Sequence, residues 1–346
     1  MENNIPGYWK TGLDDIEEAF RLAEKGGRAA VRTLCRSAGG REIRYIEYNP
    51  CDDPPHAANY SSACGAGDEK FYIEREGRMP VVLLVGAVHG QELEGVAALC
   101  NLVRLIETGT DYREERDRDG EESFARLAEN CRLILIPVMN IDGRARIAEI
   151  RSVYGMTNDE MHYWGQGTWP DGSLCQWPAC KSVHPILGRC GFLGAYFNDD
   201  GVNLMHDNFF SPMAEETRAL LAFCDRVSPD FTVLLHGGSN TTNVLLQPAF
   251  APIAVNRAVD EVAQKVRASA AEEGLRAGIS AVPDHNTDKL RSFNLTSAII
   301  HVCGGACSTY ESNQGLNEKN QMRYDEILRL HYVLFRELMK KYSRHA

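Results

Sequence analysis

Continuous apolar runs alternate with segments of helical periodicity through the middle of the chain. The runs at 80–88, 132–138 and 231–235 are almost free of polar residues, which is typical of parallel strands covered on both faces by helices. The stretch at 93–107 instead spaces its apolar residues three and four apart, as a helix with one buried face does. The pattern therefore predicts an α/β fold with a mixed, mostly parallel central sheet and helices on both faces.

Further elements are predicted on either side of these runs. Helical spacing marks 13–25, and 41–48 alternates polar and apolar residues in the manner of an edge strand. Ser211 and Pro212 suit an N-cap and a first helical position, which predicts a helix that ends at Ser228. Helices are also predicted around 255–266 and 327–338, and strand pieces at 297–300 and 308–311.

No internal repeat or low-complexity linker divides the 346 residues. We therefore expect a single domain over 1–346, with a helix-and-strand extension at about 1–48 and a long loop insertion at about 151–200. The inserted segment is rich in aromatic residues and turns. A loop of such length more often forms a binding wall or a lid than a plain connection.

Composition restricts the partners and the location. A net charge of -11, without clustered lysine and arginine, argues against a nucleic-acid partner. No apolar run approaches the ~20 residues of a membrane-spanning helix, so no membrane partner is predicted. The N-terminus lacks the basic and apolar regions of a signal peptide. Together with eleven scattered cysteines, these features predict a cytoplasmic protein with reduced thiols.

Two strand ends carry residues suited to holding a metal. His89 and Glu92 follow the first apolar run, and ligands in open α/β sheets bind outside the carboxyl ends of strands. A histidine and a carboxylate at this spacing can converge on one zinc ion. His236 ends the third run and precedes two glycines, which permit close backbone approach. Because catalytic zinc has three protein ligands and an open position, the sequence predicts one Zn²⁺ per chain on His89, Glu92 and His236.

Zinc hydrolysis of an amide also needs a carboxylate that accepts a proton from water and returns it to the leaving amine. Glu311 ends the last predicted strand and is the candidate for this role. Other hydrolytic and nucleotide-binding motifs are missing, since the chain has no Gly-x-Ser-x-Gly elbow, phosphate-binding loop or dinucleotide fingerprint.

Five short motifs, in this order, resemble the zinc metallocarboxypeptidases from about residue 37 onward. They are His-x-x-Glu at 89–92, Asn-Ile-Asp-Gly at 140–143, Gly-Val-Asn-Leu at 201–204, the strand-end His236 and Thr-Tyr-Glu at 309–311. The segment Ser-Ala-Gly-Gly-Arg-Glu-Ile at 37–43 is similar to one that precedes the first strand in many members. The resemblance implies that the zinc ligands are His89, Glu92 and His236, and that Glu311 is the catalytic glutamate.

One part of the family pattern differs here. Where members usually read Gly-Val-Asp-x-Asn-Arg, and the Asn-Arg pair grips the terminal carboxylate of the substrate, this chain has Met205 and His206. Methionine offers no hydrogen-bond donor, and a histidine lacks the two-pronged geometry of guanidinium. Asn203 stands at the position of the acidic residue that orients the first histidine, where its oxygen can still accept from an imidazole N–H.

The long loop carries three basic residues, Arg151, Lys181 and Arg189. One of them is expected to replace the basic residue that the family uses to polarise the scissile carbonyl, and Lys181 is favoured. Arg151 and Arg189, with Asn203 and His206, are the candidate substrate-binding residues.

The sequence therefore predicts a zinc-dependent hydrolase of metallocarboxypeptidase type that cleaves a peptide or amide bond. Two alternatives stay open. The first is an N-acyl amino acid deacylase of the related aspartoacylase-like branch, with an acyl-amino-acid substrate. The second is a pseudoenzyme that keeps the fold to bind a peptide, against which the complete ligand set and Glu311 argue.

Overall fold

The three apolar runs form the central strands of one large sheet. The computed structural model describes residues 5–210, 212–240, 243–275, 278–283 and 292–344. The strands are β1 (Ala29–Arg36), β2 (Glu42–Tyr48), β3 (Val81–Gly86), β4 (Arg132–Ile136), β5 (Gly167–Thr168), β6 (Phe192–Leu193), β7 (Phe231–Gly237), β8 (Val244–Gln247), β9 (Ser280–Pro283) and β10 (Ala306–Ser312). The helices are α1 (Leu13–Gly26), α2 (Tyr60–Gly65), α3 (Glu94–Thr108), α4 (Phe124–Glu129), α5 (Ile141–Arg146), α6 (Asn158–Gly165), α7 (Glu215–Val227), α8 (Ile253–Glu272), α9 (Leu295–Cys303) and α10 (Tyr324–Lys341).

The main sheet has the strand order β1-β2-β4-β3-β7-β10-β8-β9. Its centre is parallel, because β3 pairs in parallel with β4 and β7, and β7 pairs in parallel with β10. Antiparallel pairs flank this centre, between β1, β2 and β4 on one side and between β10 and β8 on the other. Every residue of β3 and β4 is buried, which explains their unbroken apolar sequences. The predicted mixed, mostly parallel α/β fold is confirmed.

Helices cover both faces of this sheet. The connection from β3 to β4 and the connection from β4 to β7 run in opposite directions across the sheet. Since such crossovers are right-handed, their helices α3 and α7 lie on opposite faces. Helices α1, α3, α10 and α8 pack against one another in series, while α7 packs on α9. The N-terminal segment belongs to this body, because α1 packs on α3 and β1 and β2 extend the sheet.

Two predicted elements are wrong. The segment 41–48 is not an edge strand, because the unpredicted β1 pairs with β2 on its outer side. The predicted strand piece at 297–300 lies in α9, whose Asn294 side chain accepts a hydrogen bond from Ser297 N at 3.3 Å. Gly304, with a φ of 67°, ends that helix. A short apolar run buried on all sides carries no periodicity that separates a strand from a helix.

Smaller differences concern element boundaries. Helix α7 begins at Glu215, beyond the predicted start at Pro212, while Ser211 lies outside the described residues. Strands β8 and β9 were not predicted, since four residues each give too short a pattern. None of the described helices combines the length and apolar character that a membrane span requires.

We predict that Gly305 is essential to the close approach of β10 and the chain that enters β7. A Cβ at Gly305 would lie 1.8 Å from the carbonyl oxygen of Pro229. Gly305→Ala should therefore lower the free energy of unfolding by about 1–3 kcal/mol, the usual cost of overpacking. Thermal melting measures this loss. Gly65→Ala is the matched control, because nothing lies within 4 Å of the added carbon, and equal melting temperatures for the two variants would contradict the prediction.

Candidate metal centre

The carboxyl ends of β3 and β7 bring the three predicted ligands together. The strands are parallel neighbours in which Gly86 lies opposite Leu235. His89 and His236 therefore emerge at the same edge of the sheet, and Glu92 follows just before α3. All three side chains are buried, and their potential ligand atoms lie within 4.8 Å of one another.

The tautomer of His89 is fixed by Asn203. The Oδ1 atom of Asn203 accepts a hydrogen bond from Met205 N at 3.0 Å, and it lies 3.1 Å from His89 Nε2. An oxygen can only accept, so His89 Nε2 carries the hydrogen and Nδ1 presents its lone pair. That lone pair faces Glu92 Oε1 at 2.9 Å. Two acceptors at this distance repel each other unless a cation lies between them.

His236 meets the same carboxylate from the other side. Its Nδ1 lies 2.8 Å from Glu92 Oε2, yet the contact lacks the angles of a hydrogen bond. Among the described residues, neither Glu92 Oε2 nor His236 Nε2 has a hydrogen-bond partner. Buried polar atoms normally have at least one hydrogen-bond partner. Two imidazoles and a carboxylate that crowd together in this way, without satisfying one another, fit the donor set of a zinc ion.

The pKa values of the neighbouring residues Glu92 and Glu94 are shifted in opposite directions. Burial opposes ionisation of Glu92, but the adjacent imidazoles of His89 and His236 outweigh it and lower the pKa of Glu92. Burial raises the pKa of Glu94 to about 8, with no cation to counter it. Glu92 is therefore the carboxylate of this pair that is ready to bind a cation at neutral pH.

A cavity of about 340 Å³ opens over the three residues, and its wall includes Glu311, Lys181 and His206. Glu311 pairs in register with His236 across β10 and β7. Paired residues of parallel strands point to the same side of a sheet, so the two side chains share one surface of the cavity.

Met205 and His206 also line the cavity, at the position where the family pattern differs. Burial lowers the pKa of His206 well below its usual value, and the nearby positive charge of Lys181 lowers it further. His206 is therefore neutral near pH 7. Its Nδ1 lies 3.3 Å from Ser292 Oγ.

Residues of the segment 151–200 form one wall of the cavity. This segment contributes Met161, His162, Gln166, Trp177, Lys181 and Tyr196. Lys181 Nζ lies 3.6 Å from the centre of the Trp177 ring. The sequence motifs did not indicate His162, Gln166 or Tyr196, and the aromatic character of this segment was the only signal that it faces a ligand.

Three of the predicted substrate-binding residues are not on this wall. Arg151 is paired with Asp14 at 2.6 Å and with Asp15 at 3.3 Å, which holds it against the start of α1. Arg189 is exposed and does not line the cavity. Asn203 contacts the candidate metal ligand His89 instead and does not line the cavity.

Comparison with known proteins agrees with this geometry. The zinc carboxypeptidase family model matches residues 21–306. No curated protein matches the chain by sequence.

Solved structures of metallocarboxypeptidases share the fold. The metallo-carboxypeptidase from Burkholderia cenocepacia is 12% identical with a TM-score of 0.57, over 95% of this chain and 68% of that chain. Carboxypeptidase A from Helicoverpa armigera is 12% identical with a TM-score of 0.57, over 98% of this chain and 75% of that chain. Bovine thrombin-activatable fibrinolysis inhibitor, in complex with tick carboxypeptidase inhibitor, is 10% identical with a TM-score of 0.58, over 99% of this chain and 100% of that chain. The family match, which spans most of the chain, confirms the resemblance that the motifs indicated: this chain belongs to the zinc carboxypeptidase family.

Proposed function

We propose that this protein is a zinc-dependent hydrolase that cleaves a peptide or amide bond, with Glu311 as general base. The convergence of His89, Glu92 and His236 on one point beneath a cavity lined by Glu311 carries the proposal. Membership of the zinc carboxypeptidase family supports a hydrolase of metallopeptidase type.

The residues present suit one zinc ion per chain. His89 would bind it through Nδ1, whose lone pair Asn203 secures, and His236 and Glu92 would supply a second nitrogen and a carboxylate oxygen. Zinc held there supplies Lewis acidity toward water and toward a carbonyl oxygen. The remaining steps of the reaction fall to side chains of the cavity wall.

Glu311 accepts the proton of the attacking water and returns it to the leaving amine. Its place beside His236 on the sheet supports this role, because it holds the carboxylate at the cavity without a mobile loop. Lys181 is the only lysine or arginine among the described lining residues. We assign to it the stabilisation of the negative charge that develops on the substrate oxygen.

The substrate is a peptide or an acylated amino acid that the protein does not grip by a free α-carboxylate in the usual way of the family. Met205 and the neutral His206 stand where the Asn-Arg pair is expected. A guanidinium forms two parallel charge-assisted hydrogen bonds to a carboxylate, and a neutral imidazole with a thioether cannot replace them. No guanidinium among the described residues lines the cavity.

We predict about one zinc per purified chain, largely lost in His89→Ala and in His236→Ala. Each variant removes one of three ligands, which weakens binding severely. Metal analysis after dialysis measures the effect. His301→Ala is the control, because His301 contacts the Phe250 carbonyl and does not line the cavity. Unchanged metal content in both ligand variants would refute the proposed site.

Glu311→Gln should retain zinc and the fold but lose at least ~100-fold in turnover, because general acid–base catalysis contributes that much or more. The amide has nearly the same shape as the carboxyl group and cannot take up the proton. Steady-state hydrolysis by the metal-loaded variant tests this, with the exposed Glu24→Gln as control. Turnover close to that of the wild type would assign the base to another residue.

Wild-type protein should discriminate little between matched peptides with a free and an amidated C-terminus. The double variant Met205→Asn/His206→Arg should gain a preference for the free carboxylate of about 10-fold or more, the value of one charge-assisted pair. Ratios of kcat/KM for the two peptides, and for an N-acyl amino acid, measure this selectivity. A strong wild-type preference for the free carboxylate that His206→Ala abolishes would show instead that His206 is the clamp.

A further inference from the structure

The aromatic ring of Tyr196 lies flat against the imidazole of His89. The ring centres are 3.9 Å apart and the planes differ by 14°. Tyr196 is buried and forms part of the cavity wall. Because two flat surfaces in contact leave little room for tilting, the stack restricts the directions in which His89 Nδ1 can point.

The backbone around Tyr196 is bound to the turn that carries His89. Tyr196 N donates to the Gly165 carbonyl at 2.9 Å. The carbonyl oxygen of Ala195 accepts from Gly90 N at 2.8 Å and from Asn140 Nδ2 at 3.1 Å. Gly90 directly follows His89 in the chain, so the position of the tyrosine is tied to that of the metal ligand.

The close approach of the Ala195 carbonyl to the chain around Gly143 requires glycine at position 143. A Cβ at Gly143 would lie 2.2 Å from the Ala195 carbonyl oxygen. Any larger residue would push the inserted segment away from the turn, and Tyr196 would move with it. The stack on His89 is therefore part of how the inserted segment docks on the sheet edge.

We propose that Tyr196 is a positioning residue of the metal centre, whose ring holds the His89 imidazole. This inference rests on the proposed zinc site. Tyr196 acts through the ligands and needs no contact with the substrate. Removing a group that orients a metal ligand typically weakens metal binding by ~10- to 100-fold.

Zinc affinity, measured by competition with a chromophoric chelator, tests the proposal in the full-length protein. Tyr196→Met fills the space with an apolar side chain that has neither ring nor hydroxyl, and we expect zinc to bind ~10- to 100-fold more weakly. Tyr196→Phe keeps the ring, and we expect its zinc affinity to stay close to that of the wild type. The recovery in the phenylalanine variant assigns the effect to the ring stacked on His89.

Tyr163→Met is the matched control. Tyr163 lies in the same inserted segment and stacks on Phe192, with ring centres 5.0 Å apart and an angle of 16° between the ring planes. It does not line the cavity. Its zinc affinity should equal that of the wild type. Melting of the metal-free proteins shows whether each variant folds, and zinc affinities are compared only between folded variants.

Wild-type zinc affinity in folded Tyr196→Met would overturn the proposal. If that variant does not fold without metal, Tyr196→Leu, which also lacks the ring, decides, and wild-type affinity there overturns the proposal. A loss of affinity in Tyr196→Phe as large as that in Tyr196→Met also overturns it. Failure of the zinc site itself has a different signature, because His236→Ala would then bind zinc as the wild type does. Loss of zinc in His236→Ala with full affinity in Tyr196→Met would leave the site in place and refute only the role of Tyr196.

Discussion

The parallel pairing of β3 with β7 is the constraint on which the centre depends. It sets Gly86 opposite Leu235, and so brings the ends of the two strands, which carry His89 and His236, to one edge of the sheet. The pairing of β7 with β10 then adds Glu311 directly beside His236. Backbone hydrogen bonds of a buried sheet thus fix the separation of side chains that are distant in sequence, and the site inherits the rigidity of the core.

The candidate site residues that lie at strand ends could be predicted from the sequence. Buried parallel strands have unbroken apolar sequences, and a polar residue at the end of such a run must leave the core, which singled out His89, His236 and Glu311. Strand β1 escaped prediction because its mixed, half-buried sequence has no clear alternation. Helix α9 was mistaken for a strand because nearly all its residues are buried, so it presents no polar face.

The cavity wall was harder to predict for a different physical reason. Lys181 and Tyr196 lie in a segment whose course is set by hydrogen bonds to distant turns, such as the contact of the Ala195 carbonyl with Gly90. Such contacts leave no periodic trace in the sequence. Arg151 was predicted to contact the substrate because it is a basic residue of the long loop. In the structure it forms ion pairs with Asp14 and Asp15, which lie far from it in the sequence, so this contact could not be predicted either.

Asn203 is neutral where the family pattern has an acidic residue, and this difference affects the net charge around the proposed zinc site. Asn203 fixes the His89 tautomer with an amide oxygen, as the carboxylate at the same family position would, but it adds no negative charge. Glu92 would be the only anionic ligand of the proposed triad, and with Asn203 neutral a zinc ion held there would keep a net positive charge. A neutral partner also makes the imidazole a weaker electron donor than a carboxylate partner would. Both effects would increase the pull of the centre on a substrate oxygen, in a cavity where His206 is neutral and Lys181 is the one lysine or arginine among the described lining residues. The neutral His206 and the neutral Asn203 would thus offset each other, because the first leaves less positive charge in the cavity and the second would leave more of it on the metal.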